Sequence, residues 1–135
     1  IELKVDGIEK EVVSLLYKYG IEKRTTVTAF ELSRLVKIKE FAPKIRLGYL
    51  TKTVDESVVK KLLSFGVEEI CPHVSVITAE EVTTLHRLGF NVRAWGIASI
   101  EERMNKAYEA GADGMTINAP DLLTKLIAEN TENND

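Results

Sequence analysis

The sequence is poor in cysteine, proline and tryptophan: 135 residues hold one Cys, three Pro and one Trp, and aromatic residues make up only 7%. A single cysteine, Cys71, excludes an intramolecular disulfide and suits a reducing compartment, so the cytoplasm is the expected location. No apolar run approaches the roughly 20 residues that a transmembrane helix needs. Positive charge is not in excess either. Eighteen Lys and Arg against 21 Asp and Glu leave a formal charge of -3, which makes nucleic acid or an anionic membrane surface an unexpected partner. A signal peptide and an initial Met are both missing, and an opening in mid-strand predicts a piece of something longer. What remains, 44% hydrophobic and 29% charged, is the make-up of one soluble globular domain with a buried core.

The chain has a period. Gly20, Gly66, Gly89 and Gly111 each end a helical apolar pattern (SLLYKYG, KLLSFG, TTLHRLG, KAYEAG) and lie 46, 23 and 22 residues apart. Glycine just past a helix can take the left-handed conformation that ends it. The gap of 46 is two periods, with Pro43 in EFAPKI supplying the missing stop. Helix starts recur as capping boxes at Thr53 to Glu56, Thr78 to Glu81 and Ser99 to Glu102, with Asp6 and Glu9 a weaker case. Between stops and starts lie strand-like stretches: IELKV (1 to 5), TTVTAF (25 to 30), IRLGYL (45 to 50), VEEICP (67 to 72), NVRAWGI (91 to 97) and DGMTIN (113 to 118). Each is followed by a helix.

Strand and helix alternating at a short constant period predict parallel strands joined by right-handed crossovers. An open doubly wound sheet and part of a β/α barrel both satisfy this. Polar pairs favour the barrel: Glu2 with Lys4, Thr26 with Thr28, Arg93 with Trp95 and Thr116 with Asn118 each put two polar or amphipathic side chains on one strand face. A sheet covered on both sides should be nearly all apolar, whereas a barrel tolerates such residues towards its C-terminal mouth. Glu2 and Lys4 are the sharpest case, because a carboxylate and an ammonium share one face of a segment whose Ile1, Leu3 and Val5 take the other. A plain ion pair at a strand end would explain them, and so would a ligand.

The stretch NVRAWGIASIEERMNKAYEAGADGMTINAPDLLTKLI resembles the end of the glycerophosphodiester phosphodiesterase family, whose pattern is a strand ending Trp-Thr-Val-Asn, a helix, then Gly-Val-Asp-Gly-Ile-Ile-Thr-Asn/Asp-x-Pro-Asp. TTVTAF followed by KEFAPKIRLGYL is similar to the family's Ser-Ser-Phe strand and Ala-Pro-x-x-Pro-Leu-Gly stretch, and IELK to its Glu-Ile-Lys strand. The resemblance runs over residues 1 to 128, leaving 129 to 135 as a polar tail. It implies an α/β fold of six consecutive βα units, corresponding to strands 3 to 8 of a TIM (β/α)8 barrel, an incomplete barrel as given.

The resemblance implies metal-dependent hydrolysis of a glycerophosphodiester to an alcohol and glycerol 3-phosphate. Glu2 falls on a metal-ligand position for a divalent cation, Mg or Ca, and Lys4 on the position beside the substrate phosphate. Trp95 matches the Trp at the barrel mouth, against which the glycerol part would pack, and Phe30 the Phe of Ser-Ser-Phe. Hard cations take oxygen ligands, and a cation with an ammonium offsets charge building on a phosphodiester under attack.

The departures carry as much information. The family's catalytic His-Arg and His-Asp motifs and its other two metal carboxylates have no counterpart in the sequence, so no catalytic residue is assigned and the metal is expected only in the complete family site. His86 lies within a helical pattern and reads as structural. His73 follows Pro72 in a loop at the mouth. WGIAS stands where the family has Trp-Thr-Val-Asn, so Gly96 and Ala98 remove two polar groups beside Trp95. The chain alone is therefore expected to be inactive. Two other readings stay open: a non-catalytic relative that binds phosphate ligands or partners, and a structural fragment that self-associates through open barrel edges.

Overall fold

The structure, a computed structural model, describes residues 1 to 132 and divides into two compact units, Ile1–Cys71 and Pro72–Asp135. In the first, helix α1 (Glu9–Lys18) and a 3-10 turn (Glu22–Arg24) lead into strand β1 (Thr26–Ala29), followed by α2 (Leu32–Phe41), β2 (Arg46–Thr51), α3 (Glu56–Ser64) and β3 (Glu69–Pro72), whose Pro72 opens the second unit. That unit continues with α4 (Ala79–Arg87), β4 (Asn91–Ala98), α5 (Glu101–Glu109), β5 (Gly114–Ile117) and α6 (Pro120–Glu132). β1 pairs with β2 and β4 with β5, both parallel, as the alternation predicts. The opening IELKV is not a full strand. It makes a single parallel bridge, Glu2 to Thr28, closed by Leu3 N–H donating to the Thr28 carbonyl and Thr28 N–H to that of Ile1, each at 2.8 Å. Of its apolar residues only Leu3 is buried, while Ile1 and Val5 stay exposed.

Strand periodicity explains the burial. In β1, Val27 and Ala29 are fully buried beneath α2, while Thr26 and Thr28 take the opposite, partly open face. Leu16, Leu35, Ile38, Leu47 and Leu62 complete the core of the first unit, and Val82, Leu85, Val92, Met104 and Ala107 that of the second. Fully burying side chains of this size stabilises by roughly 1.5–3 kcal/mol each.

Helix ends follow the sequence unevenly. All four periodic glycines have positive φ, between 62° and 89°, as the stop signal requires. α2 ends at Phe41, just before Pro43. Of the starts, only Thr78 caps as expected, its hydroxyl accepting from Glu81 N–H and donating to the Glu81 carboxylate. α3 is capped by Asp55 rather than Thr53, since Asp55 accepts from both Val58 N–H and the Ser57 hydroxyl. The Thr53 position is taken up by an exchange with Thr51, whose hydroxyl donates to the Thr53 carbonyl. α5 begins after Ile100 with no side-chain cap, so Ser99 is not used, and Asp6 turns to Arg34 at 2.8 Å instead of capping α1. Pro120 opens α6, where its lack of an N–H costs nothing. Of the tail, residues 129 to 132 lie in α6, and 133 to 135 fall outside the described residues.

One device appears in both units. Glu68, just before β3, accepts from Leu47 N–H of β2 at 2.9 Å and pairs with Lys39 of α2 at 2.7 Å. Asp113, just before β5, accepts from Val92 N–H of β4 at 2.7 Å and lies 2.8 Å from Nε2 of His86 on α4. Each acid thus ties the start of one strand to a base on the helix that precedes that strand. His86 is the structural residue its helical setting suggests.

Burial pushes the Asp113 carboxyl up, but the Val92 N–H and His86 outweigh it and hold its pKa below the ordinary value. A lowered native pKa gives stability that is present above the unfolded carboxylate range, about 4, and is lost as pH falls through the native value. Asp113→Ala should lower the unfolding free energy by about 1–2 kcal/mol, the cost of taking away the partly exposed carboxylate that pairs the Val92 N–H. Asp113→Asn should flatten the acid limb of thermal midpoint against pH. A wild-type acid limb in the Asn variant would contradict this.

Candidate functional site

Glu2, Lys4 and Phe30 belong to the first unit. Glu2 registers with Thr28 and Thr28 with Gly48 in parallel pairings, so Glu2, Thr28 and Gly48 share one face. A Cβ built at Gly48 would stand 3.0 Å from Thr28 Cγ2, 3.2 Å from Glu69 Oε1 and 3.3 Å from Cys71 Sγ, so this face closes tightly only because residue 48 has no side chain. Glu69 is fully buried there, a carboxylate the sequence does not mark out, and the Cys71 thiol lies 3.6 Å from its Oε1. Glu2, farther along the face, is partly exposed, and its Oε2 is 3.9 Å from Lys4 Nζ, itself 76% exposed. A pair this open is worth about 0–1 kcal/mol and does not fix the fold. Its two charges remain available to a ligand. Phe30 follows β1 and is 38% exposed.

One carboxylate is too few for a hard cation, which takes six or more oxygens. No group of three His, Cys, Asp or Glu able to hold a metal occurs among the described residues. Glu2 by itself does not make a divalent-cation site.

Trp95 belongs to the second unit, and with it the structure assembles residues that strand patterning does not connect. His73 forms a parallel bridge with Trp95, sealed by Val74 N–H donating to the Trp95 carbonyl at 2.9 Å. Bridge partners share a face, and the two rings meet edge to face with centroids 4.6 Å apart. The register of β4 slips between Ala94 and Ala98, Gly96 has φ +79°, and Ala98 has φ +54°. This bulge turns position 96 towards the same side, where a Cβ would lie 2.1 Å from His73 Nε2. The imidazole therefore fills the space that a side chain at 96 would occupy. Two bonds from α5 pin the arrangement: Arg103 donates to the Gly96 carbonyl at 2.8 Å and Lys106 to that of Ser75 at 3.0 Å. His73 Nδ1 accepts from Ser75 N–H at 3.2 Å and lies 2.7 Å from the Ser75 hydroxyl.

Gly96→Ala should be destabilising on two counts: about 1–2 kcal/mol for a Cβ in the left-handed region and about 1–3 kcal/mol for overpacking against the imidazole. Only the second should vanish when His73→Ala is combined with it. A double-mutant cycle by chemical denaturation reads the difference, and strictly additive effects would contradict the packing described.

The sequence matches the glycerophosphoryl diester phosphodiesterase family over residues 2–122. A glycerophosphodiester phosphodiesterase of Caldanaerobacter subterraneus subsp. tengcongensis is 24% identical over 121 residues, 90% of this chain and 49% of that protein, so the chain spans about half the length of this curated relative. The crystal structure of a Silicibacter pomeroyi protein assigned as a glycerophosphoryl diester phosphodiesterase superposes with a TM-score of 0.85 at 24% identity, over 95% of this chain and 49% of that one. An Oleispira antarctica phosphodiesterase in complex with its product sn-glycerol-3-phosphate gives 0.75 at 22% identity, over 94% and 53%. Those likenesses assign the fold as consecutive βα units of a β/α barrel, short of a closed one. By the family match over nine-tenths of its length, the chain belongs to the glycerophosphoryl diester phosphodiesterase family.

Proposed function

We propose that this chain is part of a phosphodiesterase that hydrolyses glycerophosphodiesters to an alcohol and glycerol 3-phosphate. The family match over residues 2–122 is the observation that carries the reading. The Oleispira antarctica relative, bound to sn-glycerol-3-phosphate, supports the substrate class. In this reading Lys4 offers its ammonium to the phosphoryl oxygens, Trp95 packs against the glycerol part and Phe30 is a further substrate contact. Glu2 contributes one carboxylate to a divalent-metal site, Mg or Ca, whose other ligands the described residues do not gather. The metal would offset charge on the phosphoryl oxygens. A lone buried cysteine suits the cytoplasm, and among the described residues no helix is long and apolar enough to cross a membrane.

The 135 residues by themselves should not turn over substrate. Of the two imidazoles, His86 is engaged by Asp113 and His73 by Ser75, and each missing acid or base costs about a hundredfold to ten-thousandfold. Hydrolysis of glycerophosphocholine with added magnesium or calcium should stay at background for the wild-type chain and Glu2→Ala alike. Turnover that disappears in Glu2→Ala would overturn the expected inactivity and show the site complete within this sequence.

A further inference from the structure

The same reading leaves a gap beside Trp95, where Gly96 and Ala98 supply no polar side chain, and the structure fills it from elsewhere in the chain. His73 is 23 residues away in sequence, yet its ring occupies the volume over Gly96 and meets Trp95 edge to face. The orientation of the imidazole is fixed. Because Ser75 N–H donates to Nδ1, that nitrogen carries the lone pair, and the proton of the neutral ring resides on Nε2. Nε2 makes no hydrogen bond within the described residues, and it is not among the buried atoms that lack a partner. It is an N–H donor not sealed from solvent, beside an aromatic ring, on a ring that lies against Gly96 of β4.

Resting on the assignment to glycerophosphodiester hydrolysis, we propose that His73 is a specificity-determining residue, whose Nε2–H, held over Gly96, donates to a phosphoryl oxygen of a ligand lying against Trp95. Gly96 is then a requirement of the site. Any side chain there would displace the ring, and the polar group next to Trp95 comes from the loop after β3 in place of β4 itself. Ser75 sets the tautomer and Lys106 holds the Ser75 carbonyl, so neither needs to touch the ligand. No bond is made or broken in this role.

The test uses the chain's single tryptophan as reporter. Trp95 fluorescence is followed during titration with sn-glycerol 3-phosphate, with glycerol as the phosphate-free control and phosphorus NMR of the ligand as a second readout. Gln places an amide N–H near Nε2, whereas Asn places one near Nδ1, so the variants separate the two nitrogens. His73→Ala and His73→Asn should raise the midpoint at least about tenfold, the worth of one charge-assisted hydrogen bond. His73→Gln should stay within about threefold of wild type, and glycerol should give no response. Thermal midpoints of all variants report whether the fold is intact, and His73→Gln against His73→Asn remains a valid comparison if Ala unfolds. Equal midpoints for wild type, Ala and Asn would overturn the role of His73 and leave the family's substrate class standing. Gln as weak as Ala would overturn the Nε2 donor. A wild-type chain silent to sn-glycerol 3-phosphate in both readouts would overturn this proposal together with the ligand assignment.

Discussion

Parallel pairing is the constraint on which the rest of the structure depends. Two neighbouring strands that run the same way cannot be joined by a tight turn, so each strand must be followed by a helix that carries the chain back. The 22 to 23 residue period is the length of that circuit: a short strand, a loop, about two and a half turns of helix, a stop. Because every strand within a unit points the same way, strand starts gather at one end and strand ends at the other. The two ends are then free to specialise. Glu68 with Lys39 and Asp113 with His86 brace strand starts to helices. Phe30 lies just past the end of β1 and Trp95 in the second half of β4, towards the end of the strands at which β/α barrels build their active sites.

The frame was readable from the sequence because it is written in local signals. Glycine after an apolar helical run has one physical use at that place, and each of the four periodic glycines takes it. Polar pairs two apart disclosed strands with one accessible face, and Thr26 and Thr28 show it directly. Helix starts were less legible, since several nearby oxygens compete to accept the same N–H groups. Asp55 takes the cap of α3 because its carboxylate reaches both the Ser57 hydroxyl and Val58 N–H. Asp6 finds a better partner in Arg34, 28 residues on, and no local rule registers that.

The candidate site divides along the same line. Glu2 and Lys4 could be singled out from their spacing and family resemblance, and they do lie together. His73 could not. Its placement depends on a bulge in β4, a positive φ at Gly96 and a bridge to Trp95, all made by residues some 20 positions later in the sequence. Seen in the sequence alone, WGIAS reads as a loss of polar groups; in three dimensions the lost volume is what admits an imidazole. Glu69 escaped notice for the opposite reason. A fully buried carboxylate inside an apolar-looking strand leaves no periodic trace, and only the closeness of Gly48 and Cys71 reveals its setting.

The central claim is that this chain carries ligand-facing groups of a glycerophosphodiester phosphodiesterase, towards the C-terminal ends of its strands. Mapping amide NMR shifts of the chain during addition of sn-glycerol 3-phosphate tests it most directly. The account predicts changes concentrated at Lys4, Phe30, His73 and Trp95, with the amides of Leu47 and Val92 at the strand starts unmoved. Shifts confined to those strand starts or to the outer helices, or none at all at saturating ligand, would contradict it.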